Sequence, residues 1–260
     1  MIRAAFFDID GTLVSLKTKV YPESARLAIA ELRKKGVLCF VATGRSKFEI
    51  AEEHLLDGIE FDGFLTNNGQ DAYSPEGELL YGTPVDTEDA KICLDWAEKN
   101  HIVCWMVSAE QSILTHTDAL LEQAMEAIHT RSPRTGDLRP MLDSPIYKVV
   151  FFTDKEKMQE LLPLLKHSRT TQWYEYGHDI ISTDGGKKLA MLEILRRRGI
   201  SPCDVIAFGD SENDIEMLQA AGIGVAMDNG TPECKAAADL IAPDCDDDGI
   251  LKALQQLQII

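Results

Sequence analysis

Residues 2–13 read Ile2-Arg3-Ala4-Ala5-Phe6-Phe7-Asp8-Ile9-Asp10-Gly11-Thr12-Leu13. Ile2 to Phe7 is a short, largely apolar run, the pattern of a strand buried on both faces. Two carboxylates follow at once, and Gly11 then permits a tight turn. Strands covered on both faces belong to parallel sheets flanked by helices, where ligands collect at the carboxyl ends of the strands. Asp8 and Asp10 therefore stand where a ligand is expected. Two close carboxylates repel each other unless a cation or a shared proton relieves them. A divalent ion with oxygen ligands does so, and Mg²⁺ suits a site that also takes phosphate. Acids that merely cap a turn are the plain alternative for this segment alone.

The rest of the chain extends the pattern on both sides of an interruption. Helix Pro22–Lys35, strand Val37–Ala42, helix Lys47–Leu56 and strand Phe61–Leu65 follow from apolar spacing and the stop at Gly36. The pattern resumes with helix Lys187–Arg198, strand Val205–Phe208, helix Asn213–Ala221, strand Ile223–Ala226, helix Pro232–Ala238, strand Leu240–Ala242 and helix Ile250–Leu257. Between them lie five strands (Ile102–Val107, Ser112–Thr115, Tyr147–Thr153, Thr171–Tyr176 and Asp179–Ser182) interleaved with helices, and a loop over Arg131–Pro145. Short connections between neighbouring strands imply an antiparallel sheet. The reading is an α/β, doubly wound, Rossmann-like parallel-sheet core at 1–83 and 184–260, with an α+β domain inserted at 84–183.

Three further segments fall beside the first. Ala42-Thr43-Gly44-Arg45 ends the second strand, where a Thr hydroxyl and the amide of Gly44 can cradle an anion at a helix entrance. An ordinary cap by Thr43 or Ser46 is the competing reading. Gly209-Asp210-Ser211-Glu212-Asn213-Asp214 ends another strand; Asp210 is placed to complete a metal's oxygen shell, and Asn213 and Asp214 to bind phosphate or orient metal-bound water. Lys187 opens a helix, a position unfavourable for a cation unless it serves a nearby anion. Arg45 and the turn Thr66-Asn67-Asn68-Gly69 are candidates for the substrate edge of the site.

In this order and spacing, the four segments closely resemble the haloacid dehalogenase superfamily of phosphohydrolases. The insertion between the second and third segments resembles the Cof-type subgroup with a type IIB cap. Ala221 to Asn229 is similar to that subgroup's characteristic run, except that Asp228 stands where Gly is usual and Lys188 where Gly usually follows the lysine. The resemblance implies that Asp8 is nucleophile and metal ligand. It implies that Asp10 is the general acid and base, offering its backbone carbonyl to the metal. The Ile9 amide, Thr43, Gly44, Lys187 and Asn213 would hold the phosphoryl group, with Asp210 and Asp214 on Mg²⁺ or its waters. The activity implied is a Mg²⁺-dependent phosphatase of small phosphate monoesters, working through an aspartyl-phosphate. A phosphomutase and a non-catalytic phospho-acceptor module are the alternatives. Asp10 counts against the acceptor, which needs no second acid.

The formal net charge of -17 favours a small phosphorylated metabolite as partner over nucleic acid or an anionic membrane. It also requires a phosphate site to bring its own positive charge. No apolar run is long enough for a membrane span and no signal peptide is evident, so a cytoplasmic location is expected. The six cysteines show no metal or redox spacing and read as reduced thiols. His178 reads as a surface residue, and the acidic run Asp244–Asp248 as a helix entry, since Gln255 stands where a calcium loop needs Glu.

Overall fold

The structure, a computed structural model, describes residues 1–54, 56–128 and 130–260. The first part of the chain runs β1 (Ala4–Phe7), α1 (Glu23–Lys34), β2 (Leu38–Ala42), α2 (Lys47–Glu52), β3 (Gly63–Thr66), β4 (Asp71–Tyr73) and β5 (Leu79–Gly82). The middle runs α3 (Thr87–Asn100), β6 (Cys104–Ser108), β7 (Ser112–Leu114), α4 (Ala119–Ile128), β8 (Arg134–Thr135), β9 (Ile146–Phe152), α5 (Lys155–Leu161), β10 (Ser168–Gln172) and β11 (Gly177–Ser182). The last part runs α6 (Lys187–Arg198), β12 (Val205–Gly209), α7 (Ile215–Ala220), β13 (Ile223–Met227), α8 (Pro232–Ala237), β14 (Leu240–Ala242) and α9 (Gly249–Gln256). The chain divides into two compact units, Met1–Tyr81 with Gly186–Ile260, and Gly82–Gly185.

In the first unit the sheet order is β14-β13-β12-β1-β2-β3-β4-β5, parallel from β14 through β3. Side chains alternate across a strand, and β1 shows why its sequence is apolar throughout. Ala5 and Phe7 pack into the layer of α1 and α9, whereas Ala4 and Phe6 pack into the layer of α6 and α7. Phe6 stacks on Phe40 and Phe7 on Phe208, with ring centroids 4.8 and 5.2 Å apart. Full burial of each such ring is worth about 1.5–3 kcal/mol, so the strand that delivers Asp8 is fixed from both sides.

Two strands at the sheet edge go beyond the sequence reading. β4 pairs antiparallel with β3, and β5 lies outside it. They are short, with the polar turn Ser74-Pro75-Glu76-Gly77 between them, and give little periodic signal. The helix expected over 47–56 runs from Lys47 to Glu52, and Leu55 lies outside the described residues. The helix expected from Asn213 begins as a 3₁₀ turn at Glu212–Asp214 before α7.

The inserted unit carries a sheet in the order β10-β11-β9-β6-β7-β8. It is antiparallel except for the two-residue β8, which pairs parallel with β7 inside the expected loop. The strand expected over Thr171–Tyr176 ends at Gln172. Trp173 to Tyr176 form the turn instead: the Gln172 amide donates to the Tyr174 and Glu175 carbonyls, and the Trp173 indole donates to Asp179 Oδ1 at 2.9 Å. His178, expected at the surface, is 2% exposed with Nε2 3.2 Å from the Thr153 carbonyl oxygen. Its alternation on β11 turns the ring inward, and desolvation lowers its pKa.

Asp89 anchors α3 to the start of β10. Its carboxylate accepts from the Lys166 and His167 amides, at 3.0 and 2.8 Å, and from the Ser168 hydroxyl at 2.8 Å. Burial raises its pKa, but these donors outweigh burial and hold it below the ordinary carboxylate range. Replacing Asp89 with Asn should cost about 1–3 kcal/mol at neutral pH. Because the folded pKa is depressed, that contribution is present above the unfolded pKa and fades as pH falls through the folded one. Urea unfolding of both proteins at neutral and acid pH measures the difference, which must shrink on acidification.

Candidate active site

The turn after β1 is built by its own main chain. The Ile9 carbonyl accepts from the Leu13 amide at 2.9 Å and the Val14 amide at 2.8 Å, and Gly11 N–H donates to the Val14 carbonyl at 2.8 Å. Gly11 has φ +86°, and a Cβ there would lie 2.5 Å from Asp210 Oδ2. The glycine is thus required by the approach of a carboxylate from the loop after β12 as well as by the turn.

Lys187 is 2% exposed at the first residue of α6. Its Nζ lies 2.7 Å from Asp8 Oδ1 and 2.6 Å from Asp214 Oδ1. Asp214 Oδ2 accepts from the amides of Asp210 and Ser211, each at 3.1 Å. Asp214 is therefore committed to the ammonium and to the loop that bears Asp210. Asp210 receives Thr12 Oγ1 at 3.3 Å and Ser211 Oγ at 3.1 Å, and its carbonyl receives the Thr231 amide at 2.8 Å.

Oxygens of Asp8, Asp210 and Asp214, all buried, lie within 4.8 Å of one another. One ammonium faces three carboxylates, so the group is short of positive charge. Burial, and then the neighbouring acids, push Asp8 well above its ordinary value against the pull of Lys187. Asp210 is pushed up to about 7, first by burial and then by Asp214, with Lys187 opposing. For Lys187 burial works against the charge, but Asp214 and Asp8 outweigh it and keep the lysine protonated. The donor set is all oxygen, which fits a hard divalent cation. The nearby Cys234 is a weak competitor, since burial and then the same acids push its thiol up to about 12.

The anion side is formed by β2 and the segment after β3. Thr43 is 1% exposed, and its Oγ1 accepts from the Arg45 amide at 3.1 Å. Ser46, not Thr43, caps α2, in a reciprocal box with Glu49. Asn68 N–H donates to the Thr43 carbonyl at 2.9 Å, and Asn68 Oδ1 accepts from Asn213 Nδ2 at 2.9 Å. Thr43, Gly44, Asn68 and Asn213 therefore form one connected rim, with Ile9 buried in the adjoining turn. Asn67 and Asn68 hold φ of 50° and 59°, the left-handed region that Asn tolerates. Arg45 is forked onto Asp10 and paired with Glu53.

Sequence reasoning passed over two supports. Asp71 accepts from the Thr66 hydroxyl, Asn67 Nδ2 and the Tyr73 hydroxyl, which fixes the strained Asn67-Asn68 turn. Asn229 donates to the Gly11 carbonyl at 2.7 Å and accepts from the Cys245 amide at 2.9 Å. The first lies in a strand too short to show periodicity. The second lies in a quoted run, but its partners are distant in sequence. The acidic run after Pro243 is occupied locally, Asp244 capping its own turn and pairing with Lys17 at 3.0 Å.

Residues 5–254 match the family described as haloacid dehalogenase-like hydrolase. The chain is 30% identical over 258 residues to the putative phosphatase YkrA of Bacillus subtilis, covering 98% of this chain and 97% of that protein. It is 26% identical over 260 residues to a putative bifunctional phosphatase/peptidyl-prolyl cis-trans isomerase of Streptococcus pyogenes, of which it spans 54%. Among solved structures, a subclass IIB sugar phosphatase superposes with a TM-score of 0.86 at 31% identity, covering 99% of this chain and all of that one. No helix among the described residues is long and apolar enough to cross a membrane.

Two outcomes follow from this geometry. Gly69 has φ +75°, and a Cβ there would lie 2.6 Å from the backbone of Gly186 and Lys187. Gly69→Ala should therefore destabilise the protein by about 1–3 kcal/mol, measured by thermal or urea unfolding. In chelator, stability should rise as pH falls from about 7 toward the ordinary carboxylate range. Asp8 and Asp210 have folded pKa values above their unfolded ones, so the penalty for ionising them is full at higher pH and vanishes as they protonate. Melting temperatures that fall across that interval would contradict the charge deficit.

Proposed function

The chain belongs to the haloacid dehalogenase-like hydrolases, and on that premise we propose that it is a Mg²⁺-dependent phosphatase of small phosphate monoesters, acting through an aspartyl-phosphate on Asp8. The observation that carries the reading is the buried Asp8 carboxylate, held 2.7 Å from the Lys187 ammonium inside an acid cluster short of positive charge. Asp8 and Asp210, with the Asp10 backbone carbonyl and Asp214 behind them, would hold the ion. When bound, Mg²⁺ offsets carboxylate charge and that of the phosphoryl oxygens.

Lys187 fixes one Asp8 oxygen and aims the carboxylate, and its ammonium also attracts the incoming phosphate dianion. With the ion bound as well, the ion and the ammonium would together offset the three carboxylates, which an anionic substrate in a protein of net charge -17 requires. Thr43, the Gly44 amide and Asn213 supply neutral donors to the phosphoryl oxygens, with the Ile9 amide beside the nucleophile. An Asp8 oxygen bonds to phosphorus as the bond from phosphorus to the ester oxygen breaks, and Asp10 delivers a proton to that oxygen. Asp10 then takes a proton from water, which attacks phosphorus and releases phosphate from Asp8. Within this reading the inserted unit is the cap, the part of the chain that distinguishes one leaving group from another. Sugar phosphates and phosphorylated cofactors are the substrate class, the first in keeping with the sugar phosphatase relative.

Phosphate release from a panel of monoesters, with Mg²⁺ and with chelator, tests the activity. Asp8→Asn should abolish turnover and the acid-stable phosphoprotein trapped by quenching. Asp10→Asn should slow alkyl ester turnover by roughly 10²–10⁴-fold. Undiminished turnover in Asp8→Asn would end the reading.

A further inference from the structure

Arg45 commits its guanidinium to two acids. Nε donates to Asp10 Oδ2 at 2.6 Å and Nη2 to Asp10 Oδ1 at 2.9 Å, while Nη1 donates to Glu53 Oε2 at 2.8 Å. The three side chains are 10%, 33% and 17% exposed for Arg45, Asp10 and Glu53, so the network is partly shielded from water. Glu49, the other acid on α2 near Arg45, is engaged through Oε2 with the Ser46 amide at 2.7 Å. Glu53 is in direct ion-pair contact with the guanidinium that also holds Asp10, and Glu49 adds negative charge beside it.

A bidentate guanidinium fork holds both carboxylate oxygens and fixes their plane. In this arrangement both Asp10 oxygens are acceptors, yet delivery of a proton to a leaving group needs a carboxylic acid with one oxygen turned to substrate. We infer that Arg45 and Glu53 form a latch on Asp10, in which Glu53 is the counter-carboxylate that retains the guanidinium when Asp10 releases it. The inference rests on the phosphatase reading and assigns Glu53 as a positioning residue that never touches substrate. Released Asp10 takes a proton from solvent and passes it to the ester oxygen as the bond to phosphorus breaks and the Asp8 oxygen bonds to phosphorus. Asp10, again ionised, can return to the fork or accept the proton of the hydrolytic water.

Glu53 decides how tightly Asp10 is held. With Glu53 charged, two carboxylates compete for one cation. With that charge removed, the guanidinium loses one of its paired carboxylates, binds Asp10 more strongly, and the release of Asp10 costs more. The consequence depends on the leaving group. An alkoxide needs the proton, whereas 4-nitrophenolate departs without it.

The test compares kcat/KM, which covers steps through phosphoryl transfer to Asp8, for an alkyl phosphate and for 4-nitrophenyl phosphate. Glu53→Gln should lower the alkyl value by roughly tenfold, equal to ~1.4 kcal/mol, and leave the aryl value within about twofold. Glu53→Asp, which restores the charge, should return the ratio toward wild type. Thermal melts establish that both variants fold. An equal change for the two esters in Glu53→Gln, or no change in either, overturns the latch while leaving the phosphatase reading intact. Survival of wild-type turnover in Asp8→Asn removes both.

Discussion

The site depends on one buried ammonium. Lys187 Nζ sits between Asp8 and Asp214, and it is the cation in contact with both. Removing a buried charge from water costs several kcal/mol, so such a lysine persists only where close carboxylates offset the loss. Here it has one carboxylate on each side, and the third acid, Asp210, is tied to the same cluster through the Asp214 contacts to its loop. A single side chain thereby joins the ends of β1 and β12 to the start of α6. The position at a helix N-terminus, poor for a cation considered alone, is explained by what the ammonium faces.

On the proposed reading, the same cluster must receive a phosphate within an acidic protein. Repulsion from charges more than about 10 Å away is largely screened, so the groups inside that distance decide. The rim of Thr43, Gly44, Asn68 and Asn213 adds donors without adding charge. Its shape depends on Asp71, which holds Asn67 through both carboxylate oxygens and so keeps the left-handed turn in place. The acids here are therefore of two kinds: Asp8 faces the buried ammonium, whereas Asp71 spends its oxygens on the chain itself.

The parallel core was legible because β1 and β2 are apolar at both parities, which only two-sided burial explains. Asp8, Asp210 and Lys187 could be nominated because each directly follows a strand or opens a helix. What stayed hidden was of two kinds. β4, β5 and β8 are too short for a period of two to register. Trp173 to Tyr176 misled in the other direction, since aromatic residues favour strands but here make a turn through ring contacts and the bond to Asp179. Partnerships across the fold, such as Arg45 with Glu53 and Asn229 with Gly11, leave no local pattern. Arg45 could be placed at the end of β2 but not assigned its partners Asp10 and Glu53, because spacing gives position and not the direction of a long side chain.

The fit of Asp210 against Gly11 ties two loops that are far apart in the sequence. Neither can be exchanged alone: a donor loop with any side chain at the glycine position would strike the carboxylate, and a repositioned carboxylate would lose its niche. Chimeras that cross over between them must therefore inherit both from one parent or from two parents already matched. The inserted unit Gly82–Gly185 carries none of the residues that make this fit, so recombination confined to it leaves the two loops as a matched set.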